Sequence, residues 1–285
     1  MKKNDCYYCK EMPNKNFCVD IGLSEPWEKG KNFKEHWHEH LQIFYVTNGN
    51  GLIRCNTKLY NLVKNDIVVV NVKEMHYLES LNDEFTFFLI RIDIPFLFSN
   101  QIDLCQTKYL SPLSENSIIF KNLIRNDPIV KKCIDLIIEE YFKKDIGYEL
   151  AIKSQFYKLF VLLLRNYVVK FLTNAQVDIR LNNTKRFYDV FEFIDENYDS
   201  EISLIDLTNI AYVSQFYFCR LFKDMTGKTV TGYINDIRLK KSIELLRTNT
   251  LNITEIAIKC GFNDANYFSR IFKRKFGVSP SKYKF

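Results

Sequence analysis

Long apolar runs, glycine and proline are all scarce in this 285-residue chain, and each scarcity excludes something. A membrane-spanning helix needs about 20 consecutive apolar residues. The longest candidate here, Leu159–Val169, is broken by Arg165 and Asn166. The opening residues MKKNDCYYCKEMPN carry no apolar core of the kind a secretory signal requires, so the cytoplasm is the expected compartment and no membrane partner is expected. With 9 Gly and 6 Pro there is no collagen-like or low-complexity tract. Nor is there a phosphate-binding glycine loop or a nucleophile–base arrangement, so an enzyme is not expected. What remains is a globular composition, 47% apolar and 26% charged, long enough for one large domain or two ordinary ones. The eight cysteines do not imply disulfides in a reducing compartment, where most are buried small hydrophobes. Cys6 and Cys9 form a C-x-x-C pair with Cys18 nearby, a spacing that suits zinc or a redox switch. No second such pair completes a four-ligand site.

Positive charge is segregated. From Ser214 to Phe285 there are 14 Lys and Arg against 5 Asp and Glu, whereas Thr184 to Val213 holds 2 against 7. A basic end of this kind suits a polyanion, because phosphate contacts release condensed counterions. Residues 15–95 read as short strands: Leu41–Val46, Leu52–Cys55, Asp66–Val70 and Phe85–Ile92, separated by turn signals at Asn48-Gly49-Asn50-Gly51, Asn56 and Asn65-Asp66. Gly49 and Gly51 are read as turn signals alone. Many short strands at this spacing predict a sandwich or small barrel. Residues 115–172 read as two helices. Val130, Ile134, Ile137, Ile138 and Tyr141 mark one face, with Asp127 as cap and Pro128 at the first position. Phe156, Leu159, Phe160, Leu163 and Tyr167 mark a second helix over Tyr148–Leu172. The pair could close the barrel or form a dimer seam, and the seam is the reading preferred here. Residues 173–182 are polar without helical periodicity and are expected to be a linker.

The C-terminal part contains a repeat. Tyr217-Phe218-Cys219-Arg220-Leu221-Phe222-Lys223 returns as Tyr267-Phe268-Ser269-Arg270-Ile271-Phe272-Lys273, and Gly227 returns as Gly277. Upstream, Leu204, Leu207 and Ala211 return as Ile253, Ile256 and Cys260. Each copy has helix-turn-helix form. Ser203 caps Leu204–Ala211, and Ser214 caps Gln215–Met225, which stops at Gly227. In the second copy Asn252 or Thr254 starts the short helix, and Asp264 caps Ala265–Phe276. Phe218, Leu221, Phe222 and Phe268, Ile271, Phe272 form apolar faces, while Gln215, Phe216, Cys219, Arg220, Lys223 and Ala265, Asn266, Ser269, Arg270, Arg274 lie outside. Such a helix suits the major groove: Arg grips guanine, Asn pairs with adenine, and helix N-termini hold phosphates. A helix over Val230–Arg247 could set the two readers one DNA turn, about 34 Å, apart.

On these residues, with Thr226-Gly227-Lys228, Gly261-Phe262-Asn263-Asp264 and Gly277-Val278-Ser279-Pro280-Ser281-Lys282-Tyr283, the last third of the chain resembles the DNA-binding domain of the AraC/XylS family of bacterial regulators. Tyr212 departs from it, standing where the family often has Gly in the first turn, and so does Thr208, where Ala is usual. The resemblance implies a sequence-specific transcription factor, and an activator is expected. Its DNA-binding residues would be Ser214, Gln215, Phe216, Cys219, Arg220 and Lys223, then Asn263, Ala265, Asn266, Ser269, Arg270, Lys273 and Arg274. Phe216 and Cys219 hydrogen-bond poorly, so the first reader is expected to sense thymine methyls and shape.

All four histidines fall in His36-Trp37-His38-Glu39-His40 and His76. This stretch resembles the cupin barrel found at the N-terminus of many such regulators. In metal cupins an H-x-H is followed by Glu and a second motif supplies another His; here Gln42 stands at the Glu position. Three readings compete: a metal-binding cupin, a metal-free pocket for an organic effector, and structural histidines. The second is preferred, with no metal and no cofactor expected. Its effector-binding residues would be His36, His38, Gln42, Arg54, Asn71 and His76, for a small molecule that could be a sugar. The expectation is an α+β protein: cupin-like barrel (1–110), helical dimerisation segment (111–175), linker (176–182) and an all-α double helix-turn-helix (183–285). Its partners would be promoter DNA, an effector and a second copy in a homodimer, with RNA polymerase a further candidate. Alternatives are a metal or redox sensor using Cys6, Cys9, His36, His38 and His76, or a ligand-independent regulator.

Overall fold

The computed structural model describes residues 12–248 and 251–283 and divides into two units, Met1–Thr184 and Lys185–Phe285. The Cys6–Cys9 pair lies outside the described residues. In the first unit, β1 (Val19–Leu23), β2 (Asn32–His36), β3 (Leu41–Asn48), β4 (Gly51–Cys55), β5 (Lys58–Leu62), β6 (Ile67–Val70), β7 (His76–Ser80) and β8 (Thr86–Ile92) are followed by a short helix α1 (Ser111–Ser114) and strands β9 (Ile118–Phe120) and β10 (Leu123–Ile124). All of these strands except β9 form two antiparallel sheets, ordered β1-β8-β3-β6-β10 and β2-β7-β4-β5. The expected small barrel is thus built as two facing sheets, a cupin-like arrangement. The predicted turn residues Asn56 and Asn65 take left-handed backbone (φ 50° and 71°), which Asn tolerates better than most residues.

Strand parity assigns the faces. On β3, Phe44 and Val46 point between the sheets, where they meet Ile53, Cys55, Leu78, Phe85 and Phe87. Leu41, Ile43 and Tyr45 point the other way, onto two helices, α2 (Pro128–Lys143) and α3 (Tyr148–Asn166). Both faces of β3 are therefore buried, which fits its largely apolar sequence. Gly49 and Gly51 do more than turn the chain. A Cβ on Gly51 would stand 2.3 Å from the Phe85 ring, and one on Gly49 would stand 2.7 Å from the Phe85 Cα.

The helical pair corrects one expectation. Val130, Ile134, Ile137, Ile138, Phe156, Leu159, Phe160 and Leu163, the faces read from periodicity, all enter the core against the five-stranded sheet. They close the sheet, so a dimer seam on this pair would use its outward faces. Asp127 caps α2 as read, accepting from the Ile129 and Val130 amides at 3.0 Å. Helix α3 stops at Asn166 rather than Leu172, because the β-branched Val168 and Val169 enter strand β11 (Val168–Phe171), which pairs with β9. The stretch 176–182, expected as irregular linker, lies inside helix α4 (Asn174–Asn197), and the division between units falls within that helix.

In the second unit, α4 brings Phe187, Val190, Phe191 and Ile194 into a core where Phe187 stacks on Phe218 at 5.2 Å. Next come α5 (Leu204–Ala211), α6 (Gln215–Thr226), α7 (Val230–Thr248), α8 (Ile253–Lys259) and α9 (Ala265–Phe276). Capping boxes Ser203–Asp206 and Asn252–Glu255 start the two short helices, and Ser214 and Asp264 start the two readers. Both readers end at left-handed glycines, Gly227 and Gly277.

Candidate functional site

The two reader helices present what the repeat implied. Phe218 and Phe222 in α6, and Phe268, Ile271 and Phe272 in α9, are buried, while Leu221 is half-buried. Ser214, Gln215, Phe216, Cys219, Arg220 and Lys223 are exposed, as are Asn263, Asn266, Arg270, Lys273 and Arg274; Ala265 and Ser269 are half-buried. Ser214 is occupied in capping, its Oγ accepting from the Tyr217 amide at 3.4 Å. Phe216 is 82% exposed. A large aromatic left in water on the outer face of a reader helix suits apolar contact with thymine methyls.

The repeat also contains an arrangement not expected from sequence. Arg220 lies over the Tyr217 ring at 5.5 Å, and Arg270 over Tyr267 at 5.4 Å. The same stack in both copies limits where each guanidinium can go, since Arg is attracted to the ring face. Tyr267 is itself held, its hydroxyl accepting from Asn235 Nδ2 on α7 at 2.9 Å. The Y-x-x-R spacing was visible in the repeat, and three residues along a helix place side chains on one face. Asp236, also on α7, pairs with Lys228 and, at 2.6 Å, with Lys275 at the end of α9. Burial pushes its carboxyl up, and the two ammonium groups outweigh that, leaving it below the ordinary carboxylate value. These contacts fix α9 on the long helix.

In the first unit, His36, His38 and His76 come together on the face between the sheets. One ring nitrogen from each lies within 4.8 Å of the others, and all three residues are buried. The His36 and His76 rings are 4.1 Å apart, and those of His38 and His76 4.9 Å. Gln42 is 3% exposed and shares the parity of Phe44 and Val46, so it points to the same interior. Burial lowers the imidazole pKa of His36, and burial with the neighbouring rings drives His38 down to about 3. Burial likewise lowers His76 well below the usual histidine value.

Each ring is oriented by the backbone. His36 Nδ1 meets the Lys34 carbonyl at 2.7 Å, His38 Nδ1 the His40 carbonyl at 3.0 Å, and His76 Nδ1 the Glu74 carbonyl at 3.0 Å. The loop that carries His76 is anchored in turn. Glu74 accepts from Asn56 Nδ2, the Asn71 amide, Asn71 Nδ2 and Asn122 Nδ2 at 2.8–2.9 Å, and the Lys73 amide donates to the His38 carbonyl at 2.9 Å. Glu74 and Asn122 carried no motif that would have marked them in sequence.

Two expected effector residues do not join this cluster. Asn71 is spent on structure: Nδ2 donates to Glu74 and to the Phe120 carbonyl, and Oδ1 accepts from the Phe120 amide. Arg54 pairs with Glu35 and lies over the Tyr77 ring at 5.8 Å. Its strand neighbours Ile53 and Cys55 face the interior, so parity sends Arg54 to the opposite side of the sheet. The His40 ring stacks against His38 at 5.7 Å, and its Nδ1 pairs with Asp93.

Two family models match this chain: an AraC-like ligand binding domain over residues 25–160, and a helix-turn-helix domain over residues 207–284. An uncharacterized HTH-type transcriptional regulator of Bacillus subtilis, YdeC, is 24% identical over 254 residues, 87% of this chain and 85% of its own length. The HTH-type transcriptional activator RhaS of Yersinia pestis is 27% identical over 254 residues, 87% and 88% of the two chains. The structure of ToxT from Vibrio cholerae with a bound unsaturated fatty acid is 20% identical, covers 95% of this chain and 96% of its own, and superposes with a TM-score of 0.42. Among the described residues no helix is long and apolar enough to cross a membrane.

Proposed function

Since the chain belongs to the AraC/XylS family of transcription regulators, with an N-terminal ligand-binding domain and a helix-turn-helix DNA-binding domain, we propose that a small organic effector held between the two sheets gates how the tandem readers occupy DNA. One observation carries this reading. The core between the sheets is built from aromatic and aliphatic side chains, yet His36, His38, His76 and Gln42 put one concentrated patch of buried polar atoms there. Buried polar groups clustered on an apolar wall are the usual chemistry of a small-molecule site. A polyhydroxylated compound such as a sugar would use these donors and acceptors. The effector then biases one of two states of the protein, and DNA affinity follows from the difference.

The reading of DNA is assigned to Gln215, Phe216, Cys219 and Arg220 in the first helix and Ala265, Asn266, Ser269 and Arg270 in the second. Ser214, Lys223, Asn263, Lys273 and Arg274 serve the phosphates. The working form is a cytoplasmic homodimer, because two linked readers raise the effective concentration on paired sites. With the inner faces of α2 and α3 buried, the dimer would use outward side chains such as Ile129, Phe142, Leu150 and Val161, all exposed. An activator also contacts RNA polymerase.

The test is thermal unfolding of the full chain against a panel of sugars and small metabolites. A ligand at about 100 times its Kd raises stability by about 2.7 kcal/mol. A compound that does so and also changes DNA affinity supports gating; a complete panel without a shift goes against it. The DNA assignment is tested separately. Arg270→Ala is expected to cost about 1–3 kcal/mol of specific binding and to relax preference at one base pair.

A further inference from the structure

The hydrogen-bond pattern around the histidine cluster carries more than the effector reading uses. A backbone carbonyl oxygen only accepts. The Nδ1 atoms of His36, His38 and His76, each set against such an oxygen, must therefore carry the proton. In a neutral ring that leaves the lone pair on Nε2. Nε2 of His38 and Nε2 of His76 are fully buried and have no hydrogen-bond partner among the described residues, and the same holds for Oε1 of Gln42. Gln42 lies near the His38 ring without meeting it in hydrogen-bond geometry. Three buried acceptors without partners, Nε2 of His38, Nε2 of His76 and Oε1 of Gln42, thus lie in one interior. Desolvated acceptors are costly unless something positive lies among them.

We propose that His36, His38 and His76 bind a divalent transition-metal ion through Nε2, with Gln42 Oε1 as a weaker fourth ligand. Three groups of observations support the site: the ring nitrogens within 4.8 Å of one another, the bare buried acceptors, and the three backbone tethers. Metal-bound histidines characteristically donate their other ring nitrogen to a carbonyl or carboxylate, which fixes tautomer and orientation. Three imidazoles and an amide oxygen form a borderline donor set, suited to zinc or another late first-row ion and not to calcium or magnesium. The preference for Gln over a carboxylate at position 42 leaves the site with the full charge of the ion. The inference does not depend on the effector reading, because the metal is measured without effector or DNA.

The experiment uses the full chain, stripped with chelator and titrated with Zn²⁺ by calorimetry, with metal content assayed on protein as purified. Cys6→Ser/Cys9→Ser removes the other pair that could hold zinc. One equivalent is expected in the wild type and in this double variant. His38→Gln and His36→Gln are each expected to bind at least about a hundredfold more weakly, since loss of an outer partner alone costs 10–100-fold. Unfolding of the metal-free variants reports whether they are folded. Because a variant could fail there, Co²⁺ is also added to the wild type, where a visible spectrum of nitrogen and oxygen ligation without thiolate-to-cobalt charge transfer is expected. Failure of the wild type to bind one equivalent would overturn the site. So would zinc lost with the cysteines, zinc retained by folded histidine variants, or a thiolate spectrum.

Discussion

Gly261 and Tyr212 occupy the same position in the two copies of the repeat, and the structure gives them opposite expectations. Both end the first helix of their copy in left-handed backbone, at φ 81° and 52°. Around Gly261 the space is closed: a Cβ would stand 2.7 Å from the Tyr198 carbonyl oxygen and 2.8 Å from the Asp199 backbone. Backbone atoms do not swing away as a side-chain end does. Gly261→Ala therefore combines left-handed strain of about 1–2 kcal/mol with overpacking of about 1–3 kcal/mol, or roughly 2–5 kcal/mol together. For a unit of this size each kcal/mol moves Tm by about 4–8 °C, so a loss of at least about 8 °C is expected. Tyr212 instead stands 84% exposed. Tyr212→Gly relieves the strain and adds unfolded-chain entropy, so the two effects nearly cancel, to within about 1 kcal/mol. Thermal unfolding of both variants, followed by the mobility shift of a promoter fragment, measures the contrast. A Gly261→Ala protein as stable as wild type would refute the close approach. A Tyr212→Gly protein that lost more than about 1 kcal/mol would refute the claim that this side chain is idle in the fold.

Three further outcomes follow from the geometry. Asp236→Asn should cost about 1 kcal/mol, the range for partly exposed ion pairs, and should flatten the acid limb of the stability curve. The folded carboxyl lies below its ordinary value, so its contribution is present at neutral pH and is lost as pH falls below about 4 through the folded value; a wild-type curve without that acid-side slope would count against the clamp. Phe216→Ala should weaken preference at one base pair by about 1 kcal/mol and leave the salt dependence of binding unchanged, since no phosphate contact is lost. Glu74→Gln replaces an acceptor of four hydrogen bonds by a group that opposes some of the donors. It should destabilise the first unit by about 1–3 kcal/mol, read as a lower unfolding midpoint in urea.

What could be read from sequence was what is decided locally. Ser203, Ser214, Asp264 and Asp127 were legible as caps because a cap needs only the amides two or three residues on. Where pairing reaches across the chain, periodicity misled. The stretch from Val168 to Phe171 continues an apolar pattern, and only β9, nearly fifty residues earlier, makes it a strand. The polar start of α4 carries no apolar stripe, so nothing local marked it as helix. Arg54 and Asn71 were grouped with the histidines by chemical type, but strand parity turned Arg54 away and the Phe120 backbone claimed Asn71.

The same limit explains why the histidines alone could not decide between effector and metal. H-x-H places two rings on one face of an extended chain, but the ligating nitrogen depends on what Nδ1 meets. That is set by the carbonyls of Lys34, His40 and Glu74, and the Glu74 carbonyl is where it is because Asn56, Asn71 and Asn122 hold the Glu74 side chain. The reader helices obey the same logic. Arg270, proposed as a base reader from its repeat position, lies over Tyr267, which is held by Asn235 on α7. At both ends of the molecule the sequence names the groups that do the chemistry. The residues that orient them are ordinary polar and aromatic positions, recognisable only once the chain has folded back on itself.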